Sequence, residues 1–169
     1  LLLMGYAQLR QNGSYAALEY VDRALQLAPE RGYVVREYID ALQRAGMATQ
    51  ALALAQRHPD LLTPAQMRAL QADEVADTVR FTSTASRSEA ERFVLADQAL
   101  ARYEALFAAW RPLGAETAEL IQRARIDRLQ ALHARSYMSE LVREYEDLRS
   151  SGAEIPPYAL EDVGSAYLY

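Results

Sequence analysis

The sequence contains no cysteine, and all 18 of its basic residues are arginine, so it contains no lysine either. Without lysine there is no P-loop, whose amine must reach nucleotide phosphates, and no Schiff-base chemistry. Without cysteine there is no thiol nucleophile and no zinc site built on thiolates, and the redox compartment is left open. Only His58 and His133 remain as imidazoles. They lie far apart, and neither stands near a G-x-S-x-G elbow, so a triad or metal site would rest on long-range coincidence; no metal and no cofactor is expected. Seven glycines and six prolines in 169 residues exclude a collagen-like or disordered chain. The purely apolar opening run is only Leu1 to Met4, far short of the roughly 20 residues that span a bilayer. Nor is there a basic stripe for nucleic acid: Arg123, Arg125, Arg128 and Arg135 come nearest, have Asp127 among them, and read as a solvated helix face.

What is present is helical spacing. Apolar residues recur every three or four positions along nearly all of the chain, and β-branched residues are too sparse for strands, so the fold class is all-α. A first hairpin over about 1–29 carries Gly5, Tyr6 and Leu9, a turn at Asn12-Gly13-Ser14, and then Ala17, Tyr20, Val21, Ala24 and Leu25. A second, about 33–59, turns at Ala45-Gly46 and stops at His58-Pro59, where proline removes a donor. Thr63-Pro64-Ala65-Gln66 and Ser88-Glu89-Ala90-Glu91 are capping boxes that start two longer helices over about 63–111. The first has a small stripe, Ala65, Ala69, Ala72, Ala76 and Val79. The second has an aromatic one, Phe93, Ala96, Leu100, Tyr103, Phe107 and Trp110, which reads as core. The polar segment 81–87 between them reads as a loop. A further hairpin over about 115–150 uses Ile121, Ile126, Leu129 and Leu132, turns near Arg135-Ser136, and continues with Leu141, Val142, Tyr145 and Leu148 until Gly152 and Pro156-Pro157 close it, with His133 at the edge of its stripe. The stretch 157–169 begins another helix, and the chain reads as a fragment.

Repeats of about 34 residues built as helix, turn, helix resemble tetratricopeptide units, each of which needs a neighbour to bury its apolar face. Gly5, Ala17, Ala24 and Pro29 fall at that spacing. So do Gly46 with Ala51, and Leu160, Val163, Gly164 and Tyr167, which places Tyr167 in the core. The middle helices depart from it, so the expectation is a single tetratricopeptide-like α-solenoid over 1–169 interrupted by longer antiparallel helices. The runs 88–112 (SEAERFVLADQALARYEALFAAWRP) and 125–169 (RIDRLQALHARSYMSELVREYEDLRSSGAEIPPYALEDVGSAYLY) resemble, more particularly, the periplasmic tetratricopeptide region of outer-membrane exporters of poly-β-1,6-N-acetylglucosamine. That resemblance implies a non-enzymatic scaffold for exopolysaccharide secretion in biofilm formation. It would sit in the periplasm as part of an outer-membrane protein that continues into a β-barrel. It would dock the periplasmic de-N-acetylase and guide partly deacetylated polymer to the pore.

The residue chemistry is compatible with such a ligand. Between Glu140 and Asp162 seven acids face only two arginines, and these acids, Glu140, Glu144, Glu146, Asp147, Glu154, Glu161 and Asp162, could attract polymer amines through salt-sensitive electrostatics. Tyr158 and Tyr169 could offer flat faces to sugar rings. Grooves of such arrays are lined by the first helix of each unit, which selects Tyr33, Arg36, Asp40, Gln43 and Arg44 in the second unit and Tyr158, Glu161 and Ser165 in the last. Two other classes compete: a tetratricopeptide adaptor for a protein tail, unrelated to polysaccharide, and a helical enzyme using paired carboxylates such as Glu89 with Glu91 or Glu161 with Asp162.

Overall fold

A computed structural model describes residues 1–11, 13–80 and 88–169. The expected turn residue Asn12 and the expected loop 81–87 lie outside the described residues. Within them the chain is all-α, with no strand. The helices are α1 (Leu2–Arg10), α2 (Ser14–Leu27), α3 (Gly32–Arg44), α4 (Ala48–Arg57), α5 (Pro64–Arg80), α6 (Glu89–Trp110), α7 (Ala118–Ala134), α8 (Met138–Ser150) and α9 (Pro157–Ala166). The longer middle helices expected from the spacing are α5, of 17 residues, and α6, of 22, about 33 Å from end to end at 1.5 Å per residue. No helix among the described residues is long and apolar enough to cross a membrane.

The residues form two compact units, Leu1–Asp77 and Thr78–Tyr169, whose boundary falls within α5. In the first, consecutive helices α1 to α4 pack as hairpins around Val35, Ile39, Leu42, Ala48, Ala51, Ala55 and Leu70. Gly5 is required there, because a Cβ on it would stand 2.8 Å from Val21 Cγ2. In the second, α6 to α9 pack around Ile126, Leu129, Leu132, Leu141, Leu148, Ala159, Val163 and Ala166. Leu129, Leu132, Leu141 and Leu148 are buried, each contributing about 1.5–3 kcal/mol by leaving water.

Local chemistry sets the helix ends. Thr63 and Gln66 exchange hydrogen bonds, Gln66 N–H to Thr63 Oγ1 at 3.2 Å and Thr63 N–H to Gln66 Oε1 at 2.9 Å. Ser88 and Glu91 do the same at the start of α6. Helix α4 lacks a cap of its own; Asp77, from α5, accepts the Ala48 N–H at 2.9 Å and supplies one. One turn recurs. After α3, α7 and α8 a residue with positive φ (Gly46, Ser136, Gly152) is followed by an N–H that reaches five residues back (Met47 to Leu42, Tyr137 to Leu132, Ala153 to Leu148) at 2.9–3.0 Å. This is the Schellman closure, which satisfies the last helical carbonyls. Between α6 and α7 a 3-10 turn, Arg111–Thr117, is pinned by the Thr117 hydroxyl, which donates to the Trp110 carbonyl at 2.8 Å.

Three expectations are corrected by this packing. The small stripe of α5 does not run its length, because Ala65 is exposed and Ala69 half-buried, whereas burial closes round the helix from Leu70 to Val79. Tyr167 is not core: it is 53% exposed, meets Tyr145 edge-on, and donates to Glu146 at 3.1 Å. It directly follows the last residue of α9, and its side chain lies along the exposed side of α8. The arginine cluster is not a solvated face either. Arg125 and Arg128 clasp Glu144 at 2.6 and 3.2 Å, Arg128 also reaches Glu104 at 3.0 Å, and Arg135 pairs with Asp97 at 2.8 Å. The Arg135 guanidinium also lies 4.5 Å from the ring centre of Phe93 and 4.8 Å from that of Tyr137, a cation–π clamp joining α6 to the α7–α8 turn.

Candidate functional site

The largest assembly of expected residues is a groove of about 660 Å³ in the second unit. Helix α9 supplies Tyr158, Glu161, Asp162 and Ser165, one face of a helix at steps of three and four. Helix α7 supplies Gln130 and His133, α6 supplies Glu89, Arg92 and Phe93, and Arg80 and Tyr169 complete the polar and aromatic wall. Helix α9 begins with Pro157 in its first turn, where a missing N–H costs nothing, and Tyr158 and Asp162, four residues apart on one face, both meet α7.

Two anchors hold the wall. The Tyr158 hydroxyl donates to Asp127 Oδ1 at 2.7 Å, and Asp127 is only 6% exposed on α7, with Arg123 at 4.0 Å from its other oxygen. Burial, and then the bond to Asp127, push the Tyr158 phenol far above its ordinary range, so its proton stays on the donor side. Its ring remains partly exposed to the groove. The second anchor is a relay. Asp162 Oδ1 lies 3.0 Å from His133 Nδ1, and His133 Nε2 lies 3.3 Å from Ser165 Oγ. An ionised carboxylate only accepts, so Nδ1 carries a proton in either charge state of the ring, and Nε2 accepts from the serine hydroxyl when the ring is neutral and donates to it when the ring is charged. The hydrogen bond to Asp162 raises the His133 pKa above 6.5, against partial burial, and the charges of Asp162 and Glu161 add to it.

This carboxylate–imidazole–hydroxyl order is that of a hydrolytic triad, but its setting differs. Ser165 stands in the last turn of α9, where backbone N–H groups are spent inside the helix and carbonyls point onward, so α9 offers no backbone donors to a developing oxyanion. Among the described residues no group of three His, Asp or Glu side chains is arranged to hold a metal ion. What the groove can do is bind: it joins carboxylates able to meet a cation with an aromatic face held in place.

The other candidates are dispersed. In the first unit Arg36, Asp40 and Gln43 border a cavity of about 190 Å³ with Glu37, Leu62 and Gln66. Gln43 is tied to Asp73 by a short hydrogen bond, and Arg44 is paired with Asp40 at 2.8 Å. Asp40 and Arg44 also flank a second groove of about 620 Å³ with Tyr6 and Arg10 of α1. There burial and a hydrogen bond to Glu37 push the Tyr6 phenol up to about 12. Tyr33 is exposed outside both linings. On α8, Glu140 faces water, but Glu144 is only 16% exposed at its side chain and its two oxygens serve Arg125 and Arg128, so its charge is already answered. The sequence reading left His133, Arg92 and Glu89 out of the site. The periodicity of one helix reports its own face, and nothing in it says that residue 133 meets residues 162 and 165 on another.

No protein-family model matches the chain. Over 132 residues, 78% of its length, it is 36% identical to the poly-β-1,6-N-acetyl-D-glucosamine export protein of Escherichia coli strain K12, and it matches that of Escherichia coli O157:H7 to the same extent. It spans 15% of the length of these relatives. The expected resemblance to exporters of this polymer is thus matched by direct identity over most of the chain, which is homologous to a segment of the poly-β-1,6-N-acetyl-D-glucosamine export protein.

Proposed function

We propose that this chain is a non-catalytic periplasmic scaffold of a poly-N-acetylglucosamine exporter, part of an outer-membrane protein. In this reading it docks the periplasmic de-N-acetylase and guides partly deacetylated polymer toward the outer-membrane pore during biofilm formation. The observation that carries the reading is the identity to the export protein over 78% of the chain. The α9 groove supports it locally, because Glu161 and Asp162 stand beside the anchored ring of Tyr158, and a deacetylated sugar presents an ammonium group beside a flat apolar face.

The test is titration of the whole chain, at low and physiological salt, with the de-N-acetylase and separately with partly deacetylated and fully acetylated β-1,6-linked oligomers. Saturable binding of the deacetylase, or of amine-bearing oligomers alone, is expected, with the oligomer arm weakening as salt screens it. Glu161→Arg together with Asp162→Arg is expected to abolish the oligomer arm in a folded chain. Failure of every ligand to bind would leave an adaptor for an unrelated protein tail as the better description.

A further inference from the structure

The groove holds one group whose charge changes near neutrality, and its placement bears on what the groove selects. His133 faces Asp162, Glu161 and Ser165 of α9, Glu89 and Arg92 of α6, and Arg80 at the end of α5, with the phenols of Tyr158 and Tyr169 in the same wall. Three carboxylates therefore confront two guanidiniums. An imidazolium brings the lining to neutrality, and a neutral imidazole leaves it one negative charge in excess. The same carboxylate that would receive a cationic ligand, Asp162, is the one His133 already holds at 3.0 Å.

We propose that His133 is a specificity-determining proton site of this groove: its imidazolium occupies Asp162 while the groove is empty and surrenders its extra proton when the primary ammonium of an amino sugar takes that carboxylate. The ligand class rests on the export-scaffold reading; the competition rests on the geometry. Two cations sharing one carboxylate repel, so bound ammonium lowers the proton affinity of His133, and by linkage a protonated His133 weakens ammonium binding by the same factor. The Ser165 hydroxyl takes part. Opposite imidazolium it accepts from Nε2–H, and opposite neutral imidazole it donates to Nε2. An N-acetylated sugar carries no charge at that nitrogen and does not compete. The groove then distinguishes amine from acetamide more sharply as pH rises through the His133 pKa. Burial lowers that pKa and the bond to Asp162 raises it, with the rise prevailing, which places the change on the neutral side of 6.5.

His133 and His58 are the sole histidines, and His58 is exposed in the other unit, so the imidazole resonances of the whole chain provide both the probe and its control. We expect a partly deacetylated β-1,6-glucosamine oligomer to lower the His133 titration midpoint and leave that of His58 in place, with the fully acetylated oligomer moving neither. Affinity for the amine-bearing oligomer should be about fivefold tighter at about pH 7.5 than at about pH 5.5, a coupling of ordinary size. Loss of charge on the oligomer's own amines opposes this direction, so the increase is specific to the protein. His133→Gln keeps a donor for Asp162 without a titrating proton and should flatten the pH profile. Saturable binding with an unmoved His133 midpoint and equal affinity at both pH values would overturn this proposal and leave the scaffold reading standing. Absence of oligomer binding at both pH values, in a chain with a native unfolding curve, would overturn both.

Discussion

Tyr158 is held by its far end, and that end is the part of the site a substitution can probe most cleanly. Tyr158→Phe keeps the ring and removes the donor, leaving Asp127 buried without it; the expected loss is about 1–3 kcal/mol, read from urea unfolding. His133 contributes with the opposite pH sense from a paired carboxylate. Its folded pKa lies above 6.5, so the charged bond to Asp162 stabilises the fold in full below about pH 6.5 and is lost as pH rises through the folded value. The thermal midpoint of the second unit should therefore fall between about pH 6 and about pH 8, and His133→Gln should remove that fall. Neither anchor is legible from the sequence alone. The Tyr158–Asp127 and His133–Asp162 pairs are separated by 31 and 29 positions, and such pairs become visible only once α9 is known to lie along α7.

The helices themselves were legible, because their signals are local. Capping boxes at Thr63 and Ser88, the three- and four-residue steps of α6, and Gly46 and Gly152 after helices each act within a few residues of where they are read. The turn near Arg135-Ser136 is legible too, but not its geometry: Ser136 holds φ of 65° at the same turn position as Gly46 and Gly152, a conformation its side chain does not announce. Ser136→Gly should raise stability by up to about 1 kcal/mol by relieving a left-handed serine, as chemical denaturation would register. Asp77 is the converse case, a cap supplied from 29 positions downstream. Asp77→Ala should cost about 0.5–2 kcal/mol and should increase hydrogen exchange in the first turn of α4 above that elsewhere in the helix. The sequence also pointed to Tyr167 as core through its repeat position, but what that position meets is the exposed side of α8, at Tyr145 and Glu146, which repeat spacing does not report.

At the scale of the chain, two compact units and one tryptophan make the halves separately observable. Trp110 is 3% exposed in the second unit, so its fluorescence follows that unit alone, whereas circular dichroism follows both. Lowering the pH from about 8 to about 6 should move the Trp110 unfolding transition upward and leave the portion of the dichroism transition that belongs to the first unit where it was. A charge network of Arg125, Arg128 and Arg135 with Glu144, Glu104 and Asp97 joins α6, α7 and α8 in the second unit, and His133 is its one imidazole. With one imidazole to titrate near neutrality, the response of this unit to pH should follow a simple curve of unit stoichiometry and show no cooperativity.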